Sequence, residues 1–159
     1  QATDLATLAP HLIATPQDQD FAQANRLFHI VMADGSIATL TVFRAEQVTA
    51  WTRQETDGLF LAVAVVGEGT YVLVQRGAAV SIERFDPALG VDSGLTGTAT
   101  PATATWSGLD HLNGRTVKIV ADSVVAPDAT VAGGTVTLFV PASSVQVGLP
   151  FAASVVYSS

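Results

Sequence analysis

Tight-turn signals interrupt this chain too often for long helices to form between them. Asp34-Gly35, Asp57-Gly58, Gly67-Glu68-Gly69, Arg76-Gly77, Asn113-Gly114 and Gly133-Gly134 each place glycine where a reversing backbone needs positive φ. Between them stand short runs rich in Val, Ala, Thr, Leu and Ile: Leu27–Met32, Ile37–Phe43, Val48–Gln54, Leu59–Val66, Thr70–Gln75, Val80–Phe85 and Thr116–Ala121. Runs of this length and composition, joined by glycine turns, read as strands of an antiparallel sheet. An all-β protein is therefore expected.

Asp34-Gly35 between two apolar runs is the clearest hairpin. Leu59–Val66 is almost continuously apolar and is expected to be a strand covered on both faces. In Thr116–Ala121, Val117, Ile119 and Ala121 share one face and Thr116, Lys118 and Val120 the other. Gly133-Gly134 predicts a hairpin between 129–132 and 135–140, and Val145, Val147 and Leu149 then alternate up to Pro150. Residues 86–105 carry Pro87, Gly90, Gly94, Gly97 and Pro101 among Ser, Thr and Ala, as a connection between modules would.

The expected organisation is an N-terminal arm over 1–24 and an antiparallel β meander over 25–86, of propeller-blade or sandwich type. A linker over 87–105, a small β-barrel-like module over 106–150 and a C-terminal strand over 151–159 follow. Pro16–Asp20 reads as a polar turn within the arm. A chain that opens at Gln1 without methionine is expected to be a processed product or an excerpt of a longer protein.

At 159 residues, with 48% hydrophobic and 13% charged side chains, the chain can bury a core and lies outside the disordered class. Its net charge of −7, with Lys118 the only lysine, argues against a nucleic-acid binder, whose cations must neutralise phosphates. No apolar run approaches the length of a membrane-spanning helix. Without cysteine, neither disulfides nor thiolate metal sites arise.

Candidate chemistry is thin. His11 and His29 stand alone, and His111, beside a turn, reads as tied to local backbone or to Asp110 rather than catalytic. Asp18 and Asp20 alternate as in a calcium loop but lack its glycine and closing glutamate. Glu46, Glu55 and Asp57 read as turn carboxylates in contact with water rather than a glycosidase pair. Nucleophile-elbow and phosphate-loop motifs are absent. Trp51 and Trp106 are suited to stacking on a sugar, but their positions favour packing anchors. Arg44, Arg53, Arg76 and Arg84 lie near Glu46, Glu55 and Glu83 and are expected to form cross-strand or inter-subunit bridges. No cofactor is called for.

Two blocks carry a resemblance. The first is Asn25-Arg-Leu-Phe, Asp34-Gly35, Arg44-x-Glu46-x-Val48-x-Ala50-Trp51-x-Arg53-x-x-Thr56-Asp57-Gly58, Tyr71-Val-Leu-Val and Ile82-Glu83-Arg84-Phe85. It resembles a segment of the tail nozzle, or tail tubular, proteins of short-tailed phages. The second comprises Gly108-Leu109-Asp110-His111-Leu112-x-Gly114-x-Thr116-Val117, Ala121-Asp122, Gly133-Gly134 and Val145-x-Val147-Gly148-Leu149-Pro150. It is similar to the small β-barrel (FCCH-type) insert of such proteins, a fold named after ubiquitin-activating enzymes and implying none of their chemistry. The likeness spans roughly 25–151, in a chain several times shorter than a full nozzle protein.

What the resemblance implies is a non-enzymatic structural component of a phage or phage-derived tail. It would be made in the bacterial cytoplasm and assembled into the virion as a homo-oligomer with other tail proteins, without sequence-specific contact to nucleic acid or a membrane. Trp51, Arg53, Trp106 and His111 are its candidate packing or interface residues. The alternative is a carbohydrate-binding or adhesin module with a host-surface glycan as partner.

Overall fold

The computed structural model describes residues 12–43 and 48–154, with the backbone path alone at 42, 43, 48 and 49. The chain is all β and divides into two compact units at Asp86/Pro87.

The first unit holds two antiparallel sheets. One is a meander of β1 (Pro16–Ala22), β2 (Leu27–Met32), β3 (Ile37–Phe43) and β4 (Val48–Gln54) in sequential order. The other is β5 (Leu59–Val66), β6 (Gly69–Arg76) and β7 (Ala79–Arg84). Val31 and Ile37 of the first sheet share a buried core with Phe60, Val63, Val72 and Val74 of the second, and Phe85 packs against it. The opposite face of the meander has its own small cluster of Ile30, Met32 and Ala38, flanked by Ile13, Phe28 and Trp51.

The expected hairpin forms at Asp34-Gly35. The Asp34 carboxylate accepts the Ser36 amide (3.0 Å) and hydroxyl (2.7 Å), and Gly35 takes φ +79°. The Gly35 carbonyl also accepts the Phe60 amide (2.9 Å), and a Cβ here would run into Leu59. Glycine is thus required twice, by the dihedral and by the close approach of the second sheet.

Two expectations for this unit need correction. Pro16–Asp20 is not a polar turn in an arm; it belongs to β1, paired with β2 from Pro16↔Met32 to Ala22↔Leu27. The segment Gln17-Asp-Gln-Asp20 lacks the apolar alternation that marks a strand, because hydrogen bonding rather than apolar burial holds it. Asp18 Oδ2 accepts the Val63 amide (2.9 Å) and Asp20 Oδ2 the Val65 amide (2.7 Å), so β1 closes the free edge of β5 with carboxylates. Nor is β5 covered on both faces. Phe60 and Val63 are buried while Leu59, Leu61 and Val66 are exposed, since the other sheet covers only one side.

The second unit is one antiparallel sheet in the order β10-β9-β11-β8, built from β8 (Asp92–Trp106), β9 (Thr116–Ala121), β10 (Val124–Thr130) and β11 (Val136–Leu149). Its core gathers Trp106, Leu109, Leu112, Val117, Ile119, Val131, Val136, Val145 and Val147. Trp106 packs over Gly97 near the other end of the same strand, so the sheet curls around this core. It does not close: no closed barrel forms among the described residues, and β10 and β8 remain its edges.

The sequence 87–105, expected as a linker, is mostly strand β8. Its small residues pair along the whole of β11, from Leu149↔Asp92 to Val136↔Trp106. Gly133 and Gly134 do make a two-residue turn, with φ +57° and +68° and a single bridge Ala132↔Thr135. No hairpin grows from it, because β9 lies between β10 and β11. Residues 112–115 form a turn in which the Arg115 amide donates to the Leu112 carbonyl (2.9 Å), with Gly114 at φ +79°. Residues 151–154 of the expected C-terminal strand are irregular, and the remainder lies outside the described residues.

Candidate interaction surface

The four residues singled out from the sequence fall in different units, Trp51 and Arg53 in the first and Trp106 and His111 in the second. Trp51 sits on β4 opposite Leu40, half-buried against the Ile30, Met32 and Ala38 cluster. Arg53, two residues on and so on the same face, bonds Asp34 (3.0 Å) and Glu55 (2.8 Å) within its own unit. These are exposed pairs and contribute little to stability. Trp106 is 8% exposed in the core of the second unit and offers no free ring face for a sugar. Expected at local backbone or at Asp110, His111 instead donates from Nε2 to the carbonyl of Ser93 (3.1 Å), eighteen residues upstream.

Of the expected arginine bridges, Arg76 makes the most enclosed. Its Nε and Nη2 grip Glu83 at 3.2 and 2.8 Å, and its Nη1 reaches the Thr56 hydroxyl and the Asp57 carbonyl. This ties β6 to β7 and to the turn before β5. Arg44 and Glu46 lie outside the described residues.

One ionisable group is buried between the sheets. His29 is 3% exposed, its ring tilted on Phe85 at 5.9 Å. Thr39 gives its hydroxyl proton to Gln54 (2.9 Å), so His29 Nδ1 must donate to Thr39 Oγ1 (2.9 Å). Nε2 is then a buried acceptor without a protein partner. Burial pushes the imidazole below its ordinary value of 6.5, and Asp20, its cross-strand neighbour, opposes that only in part. The unfolded chain therefore takes up a proton before the folded one, and stability is expected to fall as pH drops below about 6.5. Melting temperature measured between neutral pH and pH 5 checks this. His29→Gln should flatten that part of the curve, and an unchanged slope contradicts the assignment.

The feature that sequence reasoning missed is the outer face of β5–β6–β7. Register places Ala62, Ala64, Val66, Tyr71, Leu73, Val80 and Ile82 together on the side away from the core. Val66, Val80 and Ile82 are 68%, 55% and 76% exposed. Tyr71 lies across Gly69, and a shallow depression of about 420 Å³ opens between Ala62, Ala64, Tyr71, Leu73 and Ile82. The apolar run of β5 was the available signal: a strand apolar on both faces either lies between two layers or keeps one face for a partner. Contiguous apolar surface of this kind marks interaction sites.

A smaller apolar projection stands on the second unit. Between the pairs Thr137↔Thr105 and Ala142↔Thr103, β11 bulges outward and carries Phe139 and Val140, 90% and 74% exposed. Among the described residues no group of three or more His, Asp or Glu could hold a metal ion, and no helix is long and apolar enough to cross a membrane. No family model matches the chain, and no curated protein matches it. The likeness to tail proteins thus rests on the residue pattern alone.

Proposed function

We propose that this chain is a non-enzymatic structural module that works by assembly, and that the assembly is of the phage-tail type its two residue blocks resemble. The observation that carries the reading is the exposed apolar face of β5–β6–β7. A charged chain in water leaves such a face uncovered only at a cost of about 25 cal/mol per Å² of apolar surface, and burial against protein recovers it. Antiparallel sheets braced by turn hydrogen bonds and the Arg76–Glu83 pair supply a rigid surface for docking. In this reading copies of the chain associate with one another and with other tail proteins, and binding area does the work in place of bond chemistry.

Negative-stain images of the purified chain test this reading. Regular particles built of several copies are the expected result. A uniform field of single-copy particles at every concentration is the opposing one.

A further inference from the structure

We propose that β7 is the strand through which two copies of this chain join, pairing antiparallel with β7 of the second copy across a two-fold axis normal to the sheet. The inference rests on the assembly reading above and names its contact.

The three-stranded sheet treats its two edges differently. Along β5 the outward amides of Val63 and Val65 are closed by Asp18 and Asp20. Along β7 nothing among the described residues of the first unit takes that place, and five of its six residues are exposed. Edge strands are ordinarily protected from pairing by exposed charge, lysine above all, by proline, by a bulge or by an inward-pointing charge. β7 has little of this: its exposed charge is Arg84 alone, at its last position. Its sequence Ala-Val-Ser-Ile-Glu-Arg lacks lysine and proline, and its register with β6 runs unbroken from Arg76↔Ala79 to Tyr71↔Arg84. Its one inward charge, Glu83, is already neutralised by Arg76.

The strand is also complementary to itself. A two-fold axis normal to the sheet keeps like faces together, so opposed residues must share a face. Centred on Ser81, the pairing sets Val80 against Ile82 twice, Glu83 against Ala79 and Arg84 against Ala78. Centred on Ile82, it sets Ile82 against Ile82, Glu83 against Ser81 and Arg84 against Val80. In neither register do like charges meet, although the chain as a whole carries −7. Either register joins two three-stranded sheets into one of six strands and doubles the apolar outer face.

The absence of cysteine makes the test direct. Ser81→Cys and Ile82→Cys should each be soluble, since both positions are exposed. Under mild oxidation one of them is expected to form a disulfide-linked dimer on the order of tenfold faster than Val124→Cys, an exposed position in the other unit that sets the collisional background. Leu73→Cys, on the central strand of the same face, should not exceed that background. Hydrogen exchange on the unmodified chain should show the amides of 80, 82 and 84, which face away from β6, gaining protection as concentration rises.

An oligomer whose β7 amides stay unprotected, and whose β7 cysteines link no faster than Val124→Cys, overturns the edge pairing and leaves assembly standing. A chain that remains monomeric at every concentration overturns both.

Discussion

Ile37→Ala is expected to destabilise the first unit by about 3 kcal/mol, lowering its melting temperature by on the order of 15 °C. Ile37 has no exposed surface. It opens β3 directly opposite Val31 and packs in a cluster that joins both sheets, with Phe60, Val63, Val72 and Val74. Alanine removes three carbons from the point where the layers meet. The site cannot collapse easily, because the Gly35 turn just before it is held to Phe60 by a backbone hydrogen bond of 2.9 Å. A thermal melt followed by circular dichroism reads the loss. A cost below about 1 kcal/mol would mean that the sheets do not share this core.

The second large effect is expected from Asp18→Ala combined with Asp20→Ala. Each carboxylate accepts a backbone amide of β5, a charge-assisted bond worth more than a neutral one. Both side chains remain partly exposed, so solvent screening reduces the gain, and about 2 kcal/mol for the pair is the expected loss. A second consequence follows from the edge. With its amides released, β5 becomes a free strand rich in Leu, Val and Ala, and aggregation on heating should increase.

Asp20 adds a pH signature. The Val65 amide, and after it the Phe21 amide, hold its carboxyl below the ordinary 3.8. A carboxyl lowered on folding stabilises the folded state fully above its unfolded value, and that contribution disappears as pH falls through the lower folded one. Asp20→Asn should therefore flatten the acid limb of the stability curve below about pH 4. An acid limb identical to that of the unmodified chain contradicts the assignment.

What could be read in the sequence, and what could not, follows from the kind of force holding each strand. Strands β2 to β7 and β9 carry apolar residues at strand spacing, each beside at least one glycine turn, so hydrophobic pattern and turn chemistry agree on them. β1 is held by carboxylates reaching another sheet, a contact distant in sequence that no local pattern encodes. β8 was hidden by Gly94, Gly97 and Pro101, residues that usually mark loops. Gly97 instead makes room for the Trp106 ring, and pairing with β11 outweighs local propensity. Pro141 sits in the bulge of β11, where no ladder bond is required of it.

The candidate site was legible only in part. Tryptophans at strand positions were readable as packing anchors, and Trp106 is one. That Arg53 would turn to Asp34 of its own unit depended on β3 and β4 pairing in one register, with Ala38 opposite Arg53. The apolar outer face depended on topology: the sequence shows that β5, β6 and β7 are apolar, while only their arrangement shows which side is left without a cover.

The solution mass of the chain, measured by light scattering over a wide range of concentration, tests the assembly reading most directly. Ile82→Lys serves as the comparison, because it places a charge in the exposed face without touching the core. The unmodified chain is expected to rise to a defined multiple of the single-chain mass, with Ile82→Lys remaining at one copy and giving the same circular dichroism. A single-chain mass for both proteins at every concentration would contradict the reading.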